Sequence, residues 1–256
     1  MTRLRNMVAA DLLKLRKKRT MTWWAFLLTV GVLIAFYAYT LIAHATDPLH
    51  HGPAGGLEHW GNAMSTLGLD FGTVAAIMIG VEAGAAEFAD GTFKELVVTG
   101  RSRLALFASR IPAALIVTLC VAGCAVLITT AATFAFAGGD PTPSLSLVLQ
   151  GAGWVLLSNA VVCVVAVGLG ALMGSRSAAL ISLIAWQTIA SRLLMQTSAL
   201  GGARKSVLDA ALTQLKPGPV GSRAVAMSSL LAVIVIALWA LIAAGVGAWR
   251  TQTRDA

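Results

Sequence analysis

Residues 147–173 read LVLQGAGWVLLSNAVVCVVAVGLGALM, a run of 27 residues without a charged side chain or a proline. An α-helix needs about 20 such residues to cross a hydrocarbon core of about 30 Å, so this run predicts a transmembrane helix. Five further apolar stretches lie along the 256-residue chain, at about 23–43, 63–85, 111–137, 178–195 and 226–249. They lack the period-two alternation of a membrane β-barrel. We therefore predict an all-α, polytopic membrane protein with six transmembrane helices.

The composition agrees with a single transmembrane domain over residues 1–256. Charged residues make up 12% of the chain, against about 25% in soluble domains. The basic leader runs into a stretch too long for the apolar region of a signal peptide, so we expect no cleavage there. The three cysteines all fall inside apolar stretches, which excludes a disulfide framework and favours simple packing. Glycines at four-residue spacing, such as Gly80 and Gly84, allow close helix packing within the bundle or at a dimer seam.

The distribution of basic residues predicts the orientation. Fourteen lie on one side of the spans: Arg3, Arg5, Lys14, Arg16, Lys17, Lys18, Arg19, Lys94, Arg101, Arg103, Arg110, Arg176, Arg250 and Arg254. Four lie in loops on the other side: Arg204, Lys205, Lys216 and Arg223. The positive-inside rule then places both termini in the cytoplasm. The net charge of +8 therefore indicates topology and contact with anionic lipid rather than nucleic acid.

The leader, residues 1–22, has an amphipathic pattern. Leu4, Val8, Leu12 and Leu15 recur at helical spacing among basic side chains. This pattern predicts an interfacial helix in the headgroup plane, with its apolar face toward the lipid. The alternative is a plain basic flank of the first span. As a functional element, the helix could be pushed by a cytoplasmic partner.

The second cytoplasmic loop, residues 86–110, carries the most specific signal. Gly91 and Thr92 predict a turn followed by a helix, with Thr92 as N-cap and Glu95 as its capping-box partner. Gly100 predicts the end of that helix. The apolar side chains expected to be exposed on it are Phe93 and Leu96. A short, capped helix offered to the cytoplasm can dock into a cleft on a soluble protein.

The pattern of this loop resembles the coupling loop of ABC-2-type transporter permeases. Glu87, Gly91 and Thr92 match its acidic and turn positions, and Ser102 with Arg103 matches the Ser-Arg pair before the third span. The family often has a proline before that pair, where this chain has Gly100-Arg101. The basic leader, six spans and long last outer loop are also similar to the family. The resemblance implies that ATPase coupling involves Glu87, Asp90, Gly91, Thr92, Phe93, Glu95, Ser102 and Arg103.

The resemblance also implies partners. The sequence lacks the Gly-x-x-x-x-Gly-Lys-Ser/Thr loop that cradles phosphates, and residues 201–206 approach it with an arginine before the lysine. We therefore expect no enzyme activity and no cofactor on this chain, with ATP and Mg on a separate cytoplasmic ABC ATPase in two copies. A second permease, identical or paralogous, would complete the transport path. The implied setting is the cytoplasmic (inner) membrane of a bacterium, with export as the direction and membrane lipid as a further contact.

The last outer loop, residues 196–225, contains a second amphipathic pattern over residues 203–216. Val207, Leu208 and Leu212 lie on one helical face, and Asp209 lies on the other, polar face. We expect this helix to rest on the outer leaflet, and Pro217 to end it. The resemblance implies that this region caps the exit of the transport path.

Three acidic or basic side chains fall inside the apolar stretches. Asp70 and Arg192 have comparable depths near the outer side, where an unpaired charge costs a few kcal/mol. Three alternatives stay open: Arg192 extends outward to the interface, the two side chains pair, or each lines a hydrated exit cavity. Glu82 lies near the inner end, and we expect it to join Lys94 and Arg101 at the interface.

Other functions fit the sequence less well. The loop histidines His44, His50, His51 and His59 are weak candidates for a metal site, because their spacing matches no known ligand motif. A self-contained secondary transporter or channel would show internally repeated halves, and no repeat is visible. A membrane enzyme lacks a nucleophile and base pattern, and a scaffold or immunity protein remains an alternative. The apolar spans favour a lipid-like, peptide or drug-like substrate over an inorganic ion.

Overall fold

The computed structural model describes residues 2–98, 100, 102–218 and 225–253, with the backbone alone at residues 2, 3, 94 and 96. These residues include six helices that are long and apolar enough to cross a membrane. The six spans are Arg19–Thr46, Gly56–Ala89, Arg103–Ala135, Leu145–Met173, Arg176–Gln196 and Ser229–Thr253. The prediction of an all-α protein with six spans is confirmed. The third span begins earlier than its apolar run, because the polar residues before that run continue the same helix.

Several spans consist of more than one helix. The helices in chain order are α1 (Thr2–Lys17), α2 (Arg19–Phe26), α3 (Val32–Thr46), α4 (Gly56–Leu69), α5 (Phe71–Ala89), α6 (Phe93–Val98), α7 (Arg103–Ala135), α8 (Leu145–Met173), α9 (Arg176–Ala185), α10 (Ser191–Gln196), α11 (Leu208–Gln214) and α12 (Ser229–Thr253). A π-helical turn, Leu27–Gly31, joins α2 to α3 in the first span. A second one, Trp186–Ala190, joins α9 to α10 in the fifth. Such turns are often found at functional sites.

The second and fourth spans form the centre of the bundle. In their most apolar windows 61% and 67% of the residues are buried, against 22–28% in the first, fifth and sixth spans. Helices α5 and α8 approach closely because Gly80 and Gly84 face α8. A Cβ atom at these positions would overlap the carbonyl oxygens of Cys163 and Val167. The spaced glycines therefore serve packing within the bundle.

The second span is interrupted at Asp70, where hydropathy predicts one continuous helix. Asp70 has φ −114° and ψ −107°, which ends α4 and starts α5. Position 72 requires glycine, because a Cβ would overlap the carbonyl oxygen of Leu67. The buried amide of Asn159 on α8 donates to that carbonyl at 3.0 Å. A helix break at membrane depth is tolerated when neighbouring side chains satisfy the freed backbone groups in this way.

Helix α1 packs on the protein through its apolar face. Leu15 is buried in the main core, and Val8 and Leu12 pack against that core. Met7 contacts a second cluster with Leu106 of α7. The expectation that this face lies against lipid is therefore wrong. The reason is the early start of α7, whose first turns offer α1 an apolar surface.

The long outer loop enters the bundle instead of lying on the membrane surface. A 3-10 segment, Ser198–Ser206, precedes α11, and all residues from Leu208 to Leu212 are buried. The indole of Trp154 on α8 donates to the Leu212 carbonyl at 2.8 Å, and α11 also packs against α12. The predicted position on the outer leaflet is wrong. An apolar face in a sequence can be buried equally well by lipid or by a protein cleft.

The two ends of the bundle are held together by different hydrogen bonds. The end formed by α1, α6, the start of α7 and the last turn of α12 is here called the basic end. Arg103 links two of these elements, because its guanidinium donates to the Gln252 carbonyl at 3.0 Å. At the opposite, outer end, backbone hydrogen bonds from Gly55 to Phe136 and from Leu57 to Pro141, both 2.8 Å, join the first two outer loops.

Candidate functional site

Helix α6 lies between two glycine turns at the basic end. Gly91 has φ +72° and Gly100 has φ +76°, both in the left-handed region that favours glycine. The helix begins at Phe93, directly after Thr92, and its last residue is Val98. The start and end that the sequence indicates therefore agree with the structure. A glycine with a left-handed conformation therefore precedes the helix, and another follows it.

Phe93 anchors α6 to the rest of the basic end. Its side chain is 4% exposed and packs with Met7 of α1 and Leu106 of α7. The ring of Phe88 lies 4.6 Å from that of Phe93, measured between centroids. The expectation that Phe93 is exposed is therefore wrong, while the side chain of Leu96 lies outside the described residues. A six-residue helix must bury one face to stay in place, and Phe93 is on that face.

Among the side chains that the structure describes, the outward ones of α6 and its preceding turn are acidic or polar, apart from Val98. Val98 is 86% exposed, and Glu95 and Thr92 are also exposed. Asp90 and Gly91 continue this surface into the turn. We call Asp90, Gly91, Thr92, Glu95 and Val98 the α6 face. This face presents two carboxylates and the Val98 side chain to solvent.

Glu87 connects three helices behind the α6 face. It is buried at the end of α5 and forms an ion pair with the buried Arg110 guanidinium of α7. Its other oxygen accepts from the Lys14 ammonium of α1 at 2.7 Å. Arg110 also lies over the Phe88 ring, with 5.1 Å from Cζ to the ring centroid. A buried charge of this kind is tolerated because it is paired and hydrogen-bonded.

The ammonium of Lys14 responds to this environment. Burial lowers its pKa, but the hydrogen bond and charge of Glu87, together with Asp11, outweigh burial and leave the pKa raised. Asp11 in turn accepts a hydrogen bond from Ser109 of α7 at 2.6 Å. The protonated Lys14 thus stabilises the contact between α1, α5 and α7.

A second ion-pair cluster joins the end of α5 to α9. Glu82 pairs with Lys18 and, at 3.2 Å, with Arg176. Arg176 also contacts Asp90 at 2.6 Å. The expected cluster of Glu82 with Lys94 and Arg101 cannot be described, since the Lys94 side chain and Arg101 lie outside the described residues. The two ion-pair clusters line a charged cleft of about 450 Å³ between α1, α5 and α7.

Ser102 and Arg103 stabilise the start of the third span. The Ser102 hydroxyl caps α7 by accepting from the Ala105 amide at 3.3 Å. Arg103 extends toward the carboxyl end of α12 and donates to the Gln252 carbonyl. A cation at that place complements the helix dipole. The sequence gives no sign of this contact, because the two residues are far apart in the chain.

At the outer end, the structure contains the ion pair between Asp70 and Arg192. Of the three alternatives for these side chains, it therefore shows pairing. A second carboxyl, Asp209 of α11, lies deeper and is 5% exposed. Asp209 accepts from Ser191 at 2.5 Å and from the Gln187 amide at 2.8 Å. The expectation that Asp209 lies on a water-facing helix surface is wrong.

Burial shifts the pKa of two ionisable groups in the last outer loop, residues 196–225. It raises the pKa of the Asp209 carboxyl, against the hydrogen bonds from Ser191 and Gln187 and the charge of Arg192, which lower it. Burial likewise lowers the pKa of the Lys216 ammonium. That ammonium donates to the Ser65 hydroxyl at 2.5 Å. The last outer loop thus holds two ionisable groups whose charged forms are disfavoured.

Of the four histidines, His44 lies near the end of α3, His50 and His51 lie in the first outer loop, and His59 lies in the first turn of α4. His44 contacts the His51 carbonyl at 2.7 Å, and His50 contacts Asp47 at 2.8 Å. His59 contacts the Gly55 carbonyl at 3.1 Å. Among the described residues, no group of three or more His, Cys, Asp or Glu side chains is placed to hold a metal ion.

Comparison with known proteins identifies the family of the chain. The sequence profile described as ABC-2 family transporter protein matches residues 7–191. This range includes most of α1, the whole of α6 and the first sixteen residues of the Arg176–Gln196 span. No curated protein and no solved structure matches the chain. Because the profile covers well over half of the sequence, the chain belongs to the ABC-2 transporter family and has the role of an ABC permease.

Proposed function

We propose that this chain is the membrane-spanning subunit of an exporter driven by ATP hydrolysis on a separate cytoplasmic subunit. The observation that carries the proposal is the α6 face, which is outward while Phe93 fixes the helix from behind. An apolar Val98 with acidic neighbours suits a cleft that has an apolar floor and a basic rim. ATP and Mg would be held by the ATPase subunit.

The packing of the basic end supports a route for movement into the bundle. Helix α6 is packed on α1 and α7 through Phe93, and Glu87 links the same two helices to α5. A displacement of α6 therefore moves the inner ends of the second and third spans together. This route starts at the α6 face and requires no nucleotide on this chain.

A single chain of this kind needs a second permease to enclose a path. The first, fifth and sixth spans are the least buried, and they offer apolar faces such as Leu27, Ile189 and Leu241 to lipid or to a partner. We propose an assembly of two permeases with two ATPase subunits in a bacterial cytoplasmic membrane. Export is the direction that the family resemblance favours.

The experiment is affinity purification of the tagged chain from its native membrane, with ATP-binding proteins identified in the eluate. Val98→Asp places a charge at the carboxyl end of the α6 face and should abolish recovery of the ATPase while the permease stays in the membrane. Leu49→Asp is the matched control, because Leu49 is 94% exposed in an outer loop. Equal recovery of the ATPase with both variants would refute docking at the α6 face.

A further inference from the structure

A cavity of about 230 Å³ lies between α5, α8, α9 and α12 and is open to one side at Ser182 and Met173, which are exposed. We call it the inner chamber. Its walls are almost entirely apolar, and its lining includes Val165, Leu169 and Leu183. The rings of Trp186 and Trp239 stand beside each other on one wall, 6.0 Å apart between centroids. Such walls suit an aliphatic chain and offer no partner for a charged group.

A second cavity of about 250 Å³, the outer chamber, lies toward the outer end. Asp70, Arg192, Asp209 and Thr213 are among its lining residues. Asp70 is paired with Arg192, so Asp209 is the carboxyl left to face a ligand, and a bound ammonium would favour its ionised form. The nearby Lys216 directs its ammonium to Ser65 instead.

A hydrogen bond joins a residue of one chamber to a residue of the other. Gln187 lines the inner chamber and Asp209 lines the outer chamber, and the Gln187 amide donates to Asp209 at 2.8 Å. Gln187 belongs to the π-helical turn of the fifth span, which also carries Trp186. Each chamber is smaller than the roughly 300–1,000 Å³ of typical ligand pockets, whereas the two together fall within that range.

We propose that the two chambers form one binding site for a cationic amphiphile, with its aliphatic chain in the inner chamber and its ammonium head in the outer chamber. The Gln187–Asp209 hydrogen bond closes the passage between them and opens when the ligand occupies both. This assignment rests on the proposed function: it makes the two chambers the substrate site of the transporter and names the class of substrate. Binding itself requires neither ATP nor the ATPase.

The test is a binding titration with the purified permease alone, in nanodiscs of saturated phosphatidylcholine. The probe is an ω-brominated alkyltrimethylammonium, whose bromine quenches tryptophan fluorescence at close range. We expect saturable quenching that is lost in a Trp186→Phe, Trp239→Phe double variant. The ω-brominated alkyl carboxylate of equal chain length should bind at least about tenfold more weakly, a difference of about 1.4 kcal/mol in binding free energy.

Two variants that fill the inner chamber complete the test. Val165→Phe occupies it from α8, and Ser182→Phe blocks it from an exposed position on α9, where folding is less at risk. Leu157→Phe is the matched control, because it adds a ring to an outward position of the same α8 helix. Saturable quenching that persists in Val165→Phe and Ser182→Phe would overturn the site. Quenching that rises only linearly with probe concentration in every protein would overturn it too. Tighter binding of the carboxylate would overturn the cationic head group. None of these results depends on ATPase recovery, so the proposed function can fail or stand separately.

Discussion

Asn159 illustrates how single side chains make an irregular membrane helix possible. Its amide donates both to Val155 in its own helix at 2.8 Å and to Leu67 beside the break of the second span at 3.0 Å. Hydropathy treats Asn159 as a polar residue in an apolar run and gives no partner for it. The partner exists because Asp70 and Gly72 interrupt the helix opposite, and that interruption depends on tertiary contacts.

We expect Asn159→Leu to lower the free energy of unfolding by about 1–3 kcal/mol, because the Leu67 carbonyl would lose its buried partner. The measurement is thermal unfolding of the purified protein in detergent. Asn62→Leu on the exposed side of α4 is the control, and we expect a change within about 0.5 kcal/mol there. Equal effects of the two substitutions would show that the Asn159 hydrogen bond contributes nothing specific.

At the scale of elements, the sequence predicts α6 well and α11 poorly. The bounds of α6 depend on Gly91 and Gly100, whose left-handed conformations are a local property of glycine. The burial of Phe93 and of Asp209 depends on which neighbours cover each helix, and an amphipathic pattern does not identify them. The apolar and polar faces of α11 are both buried, because Gln187 and Ser191 supply polar partners inside the bundle.

The stability of the α11 region should depend on pH through Asp209. Its folded-state pKa is raised above the ordinary 3.8, so its contribution to stability is complete below that pH and is lost as pH rises through the folded-state pKa. We expect the unfolding temperature of the native chain to fall over that interval relative to Asp209→Asn, which cannot ionise. Parallel pH profiles of the two proteins would contradict this expectation.

At the scale of the whole molecule, the six spans and the charge difference between the ends could be predicted from the sequence. Long apolar runs and the placement of Lys and Arg need no knowledge of tertiary contacts. The central position of the second and fourth spans could not be predicted, because hydropathy does not follow burial: the central second span and the peripheral fifth span have mean hydropathies of 1.6 and 1.5. Neither could the cluster of Glu87, Lys14 and Arg110, whose members come from three separate helices.

The orientation can be tested by labelling single cysteines with a membrane-impermeant maleimide, after replacing Cys120, Cys124 and Cys163 with alanine. With the basic end in the cytoplasm, Leu49→Cys and Lys205→Cys should react in intact cells. Glu95→Cys should react after the cells are opened. Reaction of the Glu95→Cys variant in intact cells would reverse the predicted topology.

The sixth span contacts the basic end at its last turn and the Ser198–Ser206 segment at its midpoint. Near its last turn the Gln252 carbonyl binds Arg103, and halfway along it the Trp239 indole donates to the Ser206 carbonyl at 2.9 Å. A helix of 25 residues is about 37 Å long and resists compression along its axis. It can therefore transmit a displacement between the basic end and the Ser198–Ser206 segment. Thermodynamic linkage then requires reciprocity. A ligand that shifts α12 by binding at the outer end must change the affinity for a cytoplasmic partner by the same factor by which that partner changes the affinity for the ligand.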